Sequence, residues 1–143
     1  MQKVLLDTSL FIPLLRQGKH LEEILKLTRG EVFCLSSIVA QELYSGARDK
    51  RFLWQMDKLY YRFQKARRLI VPNSLDWRLA GLALSRLGNR YGYQKIRVAT
   101  LVNDALIAAS CRREGILLLT LNEKDFRLLQ EEIHFEYRVP TQS

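Results

Sequence analysis

At 143 residues the chain can bury a core of its own, and its 48% hydrophobic and 27% charged residues are those of an ordinary globular protein. No apolar run is long enough to span a membrane. Lysine and arginine number 23 against 15 acids, a formal net charge of +8, which favours an anionic partner such as nucleic acid or an acidic protein. The opening residues show no basic-then-apolar signal pattern, so a cytoplasmic protein is expected. The two cysteines, Cys34 and Cys111, belong to no C-x-x-C or Cys/His set; they read as buried, reduced thiols rather than a zinc site.

The chain opens on K-V-L-L-D-T-S-L-F-I. Val4–Leu6 is a short apolar run, the signature of a strand buried on both faces, as in a parallel sheet. Asp7 then stands at the strand's carboxyl end, with Thr8 or Ser9 able to cap a helix. Residues 10–15 read as helical, with Pro13 tolerated only in the first turn, and Gly18 as the break. Residues 20–28 form a short amphipathic helix ended by Gly30, and residues 32–35 a second strand. Ser36 or Ser37 caps the helix I-V-A-Q-E-L-Y-S-G-A, with Glu42 off the middle of its apolar stripe. Residues 50–66 form a longer helix in the most basic third of the chain, and residues 69–71 a third strand.

Asn73 or Ser74 caps a helix over residues 75–87, which Gly88 is expected to end, and residues 88–97 form a polar loop. Thr100 is expected to cap the helix over residues 101–113, stopped by Gly115. Residues 116–119 are a buried strand, 123–132 a helix, and 134–139 a last, more polar strand at a sheet edge. No repeat, linker or low-complexity segment interrupts residues 1–143, so a single domain is expected. Strands alternating with helices predict an α/β fold, a three-layer α/β/α sandwich around a mostly parallel sheet of about five strands.

Asp7, Glu42, Asp104 and Asp125 each sit where a strand ends or a helix faces inward. A parallel sheet places the carboxyl ends of its strands on one edge, so the four acids can converge. Each also has an ordinary reading: Asp7 as a cap, Glu42 and Asp125 as solvated helix residues, Asp104 as a complement to a helix N-terminus. Clustered carboxylates repel and push one another's pKa upward unless a cation joins them. Oxygen ligands suit Mg²⁺ or Mn²⁺, which can orient water and stabilise a phosphoryl transition state. No histidine is needed: His20 and His134 lie outside the cluster and read as structural or surface residues.

The segments V-L-L-D-T-S-L-F-I, S-I-V-A-Q-E-L-Y-S-G-A, N-D-A-L-I-A-A-S and L-L-L-T-L-N-E-K-D-F together resemble the PIN-domain nucleases, in particular the VapC-like toxins of toxin–antitoxin pairs. The resemblance covers nearly the whole chain, in order and spacing. It implies Mg²⁺- or Mn²⁺-dependent cleavage of RNA, a homodimer, and inhibition by an antitoxin protein. It matches Asp7, Glu42 and Asp104 to the family's three steadiest catalytic acids and Asp125 to the usual position of the fourth; Asp7 and Asp104 are expected to hold the metal most directly. Thr8, Ser9, Thr120 and Asn122 match its supporting polar positions, and Arg48, Lys95 and Arg97 are expected to hold the RNA backbone.

Two other readings compete. The chain could be an RNA- or protein-binding module on the same scaffold, distinguished by binding without metal-dependent cleavage. An Asp-based phosphotransferase would use Asp7 as nucleophile, but wants a second acid where Ser9 stands. A dimer surface is expected on the aromatic face of residues 52–63, including Trp54, Leu59, Tyr60 and Phe63; ordinary core packing explains the same residues.

Overall fold

The structure, a computed structural model, describes residues 2–140. Five strands form one sheet: β1 (Lys3–Leu6), β2 (Val32–Ser36), β3 (Leu69–Ile70), β4 (Ile116–Leu119) and β5 (Glu136–Arg138), in the spatial order β3-β2-β1-β4-β5. All the pairings are parallel, with Leu5 opposite Cys34 on one side and Leu118 on the other. Seven helices accompany them: α1 (Thr8–Gln17), α2 (Leu21–Leu27), α3 (Ser37–Ser45), α4 (Lys50–Lys65), α5 (Ser74–Tyr91), α6 (Val102–Glu114) and α7 (Glu123–Leu129).

The order explains the layers. From β1 to β3 the chain moves one way across the sheet, and from β3 to β5 the other. Right-handed crossovers therefore put α1 to α4 on one face and α5 to α7 on the opposite face, the expected α/β/α sandwich. β1 and β4 lie at the centre, and Val4, Leu5, Leu118 and Leu119 are fully buried. Helix α6 buries every residue from Ala105 to Cys111, the mark of a helix packed on more than one side. It packs against both α5 and β4.

Several boundaries differ from the sequence-based expectation. Helix α1 starts at Thr8, because Asp7 rather than Thr8 or Ser9 takes the N-cap position. Pro13 therefore lies inside the helix, past its first turn, where it cannot donate to the carbonyl of Ser9. Helix α5 runs through Gly88 to Tyr91, because the Tyr93 ring folds back onto the glycine: a Cβ there would lie 2.3 Å from Tyr93 Cε1. Thr100 does not cap α6; it sits in a 3-10 turn, Val98–Leu101, and its hydroxyl donates to the Arg97 carbonyl at 2.7 Å. Helix α7 ends at Leu129, and β5 is shorter than residues 134–139 but does lie at the sheet edge.

Candidate active site

The strand order reverses between β1 and β4, and open α/β sheets hold ligands at the carboxyl end of such a reversal. Asp7 follows β1 directly, and Thr120 follows β4. The Asp7 N–H donates to the Leu119 carbonyl at 2.9 Å, so the ladder itself sets the height of the carboxylate. Although Asp7 is the N-cap of α1, its side chain makes no capping bond. Its Oδ2 instead accepts the hydroxyls of Ser9 and Thr120, each at 2.8 Å. Those hydroxyls are held in turn: Ser9 Oγ accepts the Leu121 N–H at 3.0 Å, and Thr120 Oγ1 the Asn122 N–H at 2.9 Å. One oxygen of a buried carboxylate is thus fixed, while Oδ1 has no donor among the described residues.

Glu42 arrives on α3. The Ser36 hydroxyl caps this helix, accepting from Ile38 and Val39, and its buried stripe of Val39, Ala40 and Leu43 turns the neighbouring Glu42 toward α1. There the carboxylate accepts the Thr8 hydroxyl at 2.9 Å. Burial pushes the Glu42 carboxyl up; the Thr8 bond opposes this, the Asp7 charge adds to it, and a bond from Asn103 opposes it again.

Asp104 comes from the first turn of α6 and Asp125 from the first turn of α7. Asn122 bridges them, its Nδ2 lying 3.1 Å from Asp125 Oδ2 and 3.3 Å from Asp104 Oδ2. Burial, then the charges of Asp7, Asp125 and Glu42, push the Asp104 carboxyl up to about 8.

These side chains line one open cleft of about 560 Å³. Asp7, Glu42, Asp104 and Asp125 share it with Thr8, Ser9, Asn103 and Asn122, and Ala99, Thr100 and Val102 form a further wall. Thr120 lies just behind, on Asp7. No lysine or arginine is among the lining residues, and among the described residues none of the four acids enters an ion pair. Asp76 shows the contrast: an acid elsewhere as buried as Asp7, but held by Arg113 at 2.9 Å.

The basic residues expected to border the acids are not among the lining residues of the cleft. Arg48 lines a separate cleft with Arg16 and Arg51. Arg97, with left-handed backbone, precedes the 3-10 turn that forms the cleft wall, and neither it nor Lys95 is a lining residue. His20 stands at the N-cap position of α2 without a side-chain capping bond, and His134 lies near the amino-terminal edge of β4, both away from the acids. Asn103 went unrecognised in the sequence; its adjacency to Asp104 at a helix start was the available signal. Thr100 belongs to the cleft wall rather than to a cap.

The donor set is wholly oxygen, and it gathers like charges without a basic partner, which fits a hard divalent cation. Among the described residues no three His, Cys, Asp or Glu side chains are already set to hold an ion in common. The fit is therefore to an ion that keeps several waters, as Mg²⁺ does.

A family model for the PIN domain matches residues 4–132. No curated protein matches the chain significantly. Solved structures of similar fold include a DNA-bound VapBC from Salmonella typhimurium (20% identity, 99% of this chain and 100% of that one, TM-score 0.63). VapBC-1 from nontypeable Haemophilus influenzae matches over the same shares at 19% identity and a TM-score of 0.64. VapBC2 from Rickettsia felis, bound to a DNA fragment from its promoter, matches at 21% identity over 96% of this chain and 98% of that one, with a TM-score of 0.60. Such identities speak to the fold. The family model reaches further: it runs from inside β1 to beyond α7 and takes in every carboxylate of the cleft, and the chain belongs to the PIN domain family.

Proposed function

We propose that the chain is a metal-dependent endoribonuclease, a single nuclease domain acting as the toxin of a toxin–antitoxin pair. The observation that carries this is the convergence of Asp7, Glu42, Asp104 and Asp125 in one open cleft with no basic residue among them. A bound Mg²⁺ or Mn²⁺ supplies Lewis acidity toward the phosphate and lowers the pKa of water. Asp7, through the oxygen its hydroxyl partners leave open, and Asp104 would hold that ion. Glu42, oriented by Thr8 and made more basic by burial, takes a proton from the attacking water. Water oxygen bonds to phosphorus as the bond to the ribose 3′ oxygen breaks, leaving a 5′ phosphate, and the departing oxygen takes a proton from solvent water to become the 3′ hydroxyl. Asp125, tied to Asp104 through Asn122, completes the acidic pocket.

The phosphotransferase alternative loses ground because Ser9, where the second acid would stand, donates to Asp7. The toxin role draws on the family and on the VapBC complexes of similar fold, which also support an antitoxin partner. Homodimerisation is part of the proposal: Trp54 and Tyr61 stay more than half exposed on α4, while Leu59, Tyr60 and Phe63 pack against the core. No helix is long and apolar enough to cross a membrane among the described residues, consistent with a cytoplasmic site of action. The test is RNA cleavage by the wild type and by Asp7→Asn with Asp104→Asn, in Mg²⁺, in Mn²⁺ and in chelator. Cleavage that needs the ion and disappears in the double variant is expected. Cleavage by the double variant at the wild-type rate sinks the assignment.

A further inference from the structure

An acidic cleft repels a polyanion, and no lysine or arginine lines this one. Apart from a metal ion held by those acids, RNA must therefore gain its affinity from cations outside the cleft. Two elements lead away from the cleft to one place. Helix α1 begins at Thr8 and reaches Arg16 eight residues on, about 12 Å along its axis at ~1.5 Å per residue. Helix α3 carries Glu42 and ends at Ser45, with Arg48 following. There a second cleft of about 400 Å³ is lined by Arg16, Arg48, Asp49, Arg51, Phe52 and Gln55.

This cleft holds charge in reserve. Arg16, Arg48 and Arg51 enter no ion pair among the described residues, whereas Arg90, Arg113 and Arg127 each sit on an acid. Its one acid, Asp49, caps α4, Oδ1 accepting the Phe52 N–H at 2.8 Å, and three arginines against this one carboxylate leave an excess of positive charge. The Arg16 guanidinium lies 5.6 Å from the centre of the half-buried Phe52 ring. Guanidinium forks beside an aromatic ring suit the phosphates and bases of a single strand better than the carboxylates of a peptide, which make no use of the ring.

We propose that this cleft is a phosphate-binding subsite for the substrate strand, seating its backbone a few nucleotides from the bond held over the acids. The inference rests on the nuclease reading above. A strand lying along α1 would meet both clefts, since the helix path from Thr8 to Arg16, about 12 Å, spans only a few nucleotides.

The test is anisotropy of a labelled single-stranded RNA of about 16 nucleotides, in chelator so that it stays intact, with the full chain. Arg48→Gln with Arg51→Gln is expected to weaken binding about tenfold or more and to lower the salt slope by about 1.4, roughly 0.7 for each phosphate of a single strand that is no longer neutralised. Arg29→Gln with Arg112→Gln, a charge-matched pair away from the cleft, is expected to leave both unchanged. Unchanged affinity and slope in the cleft variant overturn the subsite, as does an equal loss in the remote variant. A cleft variant that keeps its RNA affinity but loses a poly-glutamate peptide also overturns it, in favour of an acidic partner. RNA bound through the arginines yet uncut in Mn²⁺ supports the subsite and removes the nuclease reading, so the two fail separately.

Discussion

The fully buried Thr120 hydroxyl donates to Asp7 Oδ2 at 2.8 Å, joining the ends of the two central strands across the reversal point of the sheet. Replacing it with valine keeps the shape and removes the donor, leaving Ser9 alone to orient the carboxylate. Bonds that orient a metal ligand are worth about 10–100-fold in metal affinity. Thr120→Val should therefore weaken Mn²⁺ binding by roughly that range, with a stability loss of about 1–3 kcal/mol from the missing bond to a charged group. Calorimetric Mn²⁺ titration and denaturant unfolding measure the two effects. An unchanged Mn²⁺ affinity would show that Asp7 needs no such support or is no ligand.

The raised Asp104 carboxyl ties stability to pH and to metal. Its ordinary value is 3.8 and its folded value about 8, so between them the folded chain holds a proton that the unfolded chain has lost. Unfolding free energy then falls as pH rises through that window and levels off above it. Glu42, also raised, adds the same sign. In chelator the melting temperature should drop by roughly 10 °C between about pH 5.5 and about pH 8.5, the effect of about 3 kcal/mol in a chain of this size. Mn²⁺ should restore most of the loss at the higher pH and little at the lower, where a proton competes for the carboxylate. Melting curves that are flat in chelator across this range count against the raised carboxyl.

How far the site could be read in advance depends on what each residue answers to. Asp7 was legible because Val4–Leu6 is an apolar run that ends in a charge, and a parallel sheet brings such ends to one edge. Asp104 stood out in the same way, as a charge at the start of the apolar α6. The Asn122 bridge was not legible, since its geometry depends on how α6 and α7 meet. Nor was the arginine cleft, which joins residue 16 to residues 48–55 through tertiary packing alone. Pro13 and Gly88 misled for one reason: local propensity marks a helix boundary, while the Asp7 cap and the Tyr93 ring decide it.

Gly88 yields a prediction that depends on its partner. In a helix interior, glycine costs about 1 kcal/mol relative to alanine. Here the Tyr93 ring occupies the space a Cβ needs, with its hydroxyl 3.3 Å from both the Ser85 carbonyl and Asn89 Oδ1. Gly88→Ala should thus give no stabilisation in the wild-type chain, because the ring must swing away. In a Tyr93→Ala background the same change should stabilise by about 1 kcal/mol. A double-mutant cycle by urea unfolding measures the coupling. Equal effects in both backgrounds would show that the ring does not hold the glycine.

Asp76 tests the contrast that identifies the acidic cleft. Its Oδ2 accepts the Asn73 N–H and the Arg113 Nε–H, each at 2.9 Å, closing the capping box of α5 and clamping that helix to α6. Arg113 also donates to the Val71 carbonyl at 3.0 Å. Arg113→Leu leaves a buried carboxylate without its cation. Losing one partner of a buried pair costs about 3–5 kcal/mol, and the partial exposure of Arg113 lowers the expectation to about 2–3 kcal/mol. Asp76→Asn added to Arg113→Leu should recover part of this, because a neutral amide needs no counter-charge. At Asp7 the same change to asparagine removes a charge with no cation beside it, and at Asp104 it replaces a carboxyl that already holds a proton at neutral pH without metal, so at either position it should cost little stability, while ending metal-dependent cleavage. If Asp7→Asn and Asp104→Asn destabilise the metal-free chain as strongly as Arg113→Leu, the cleft acids are structural and the separation drawn between them and Asp76 fails.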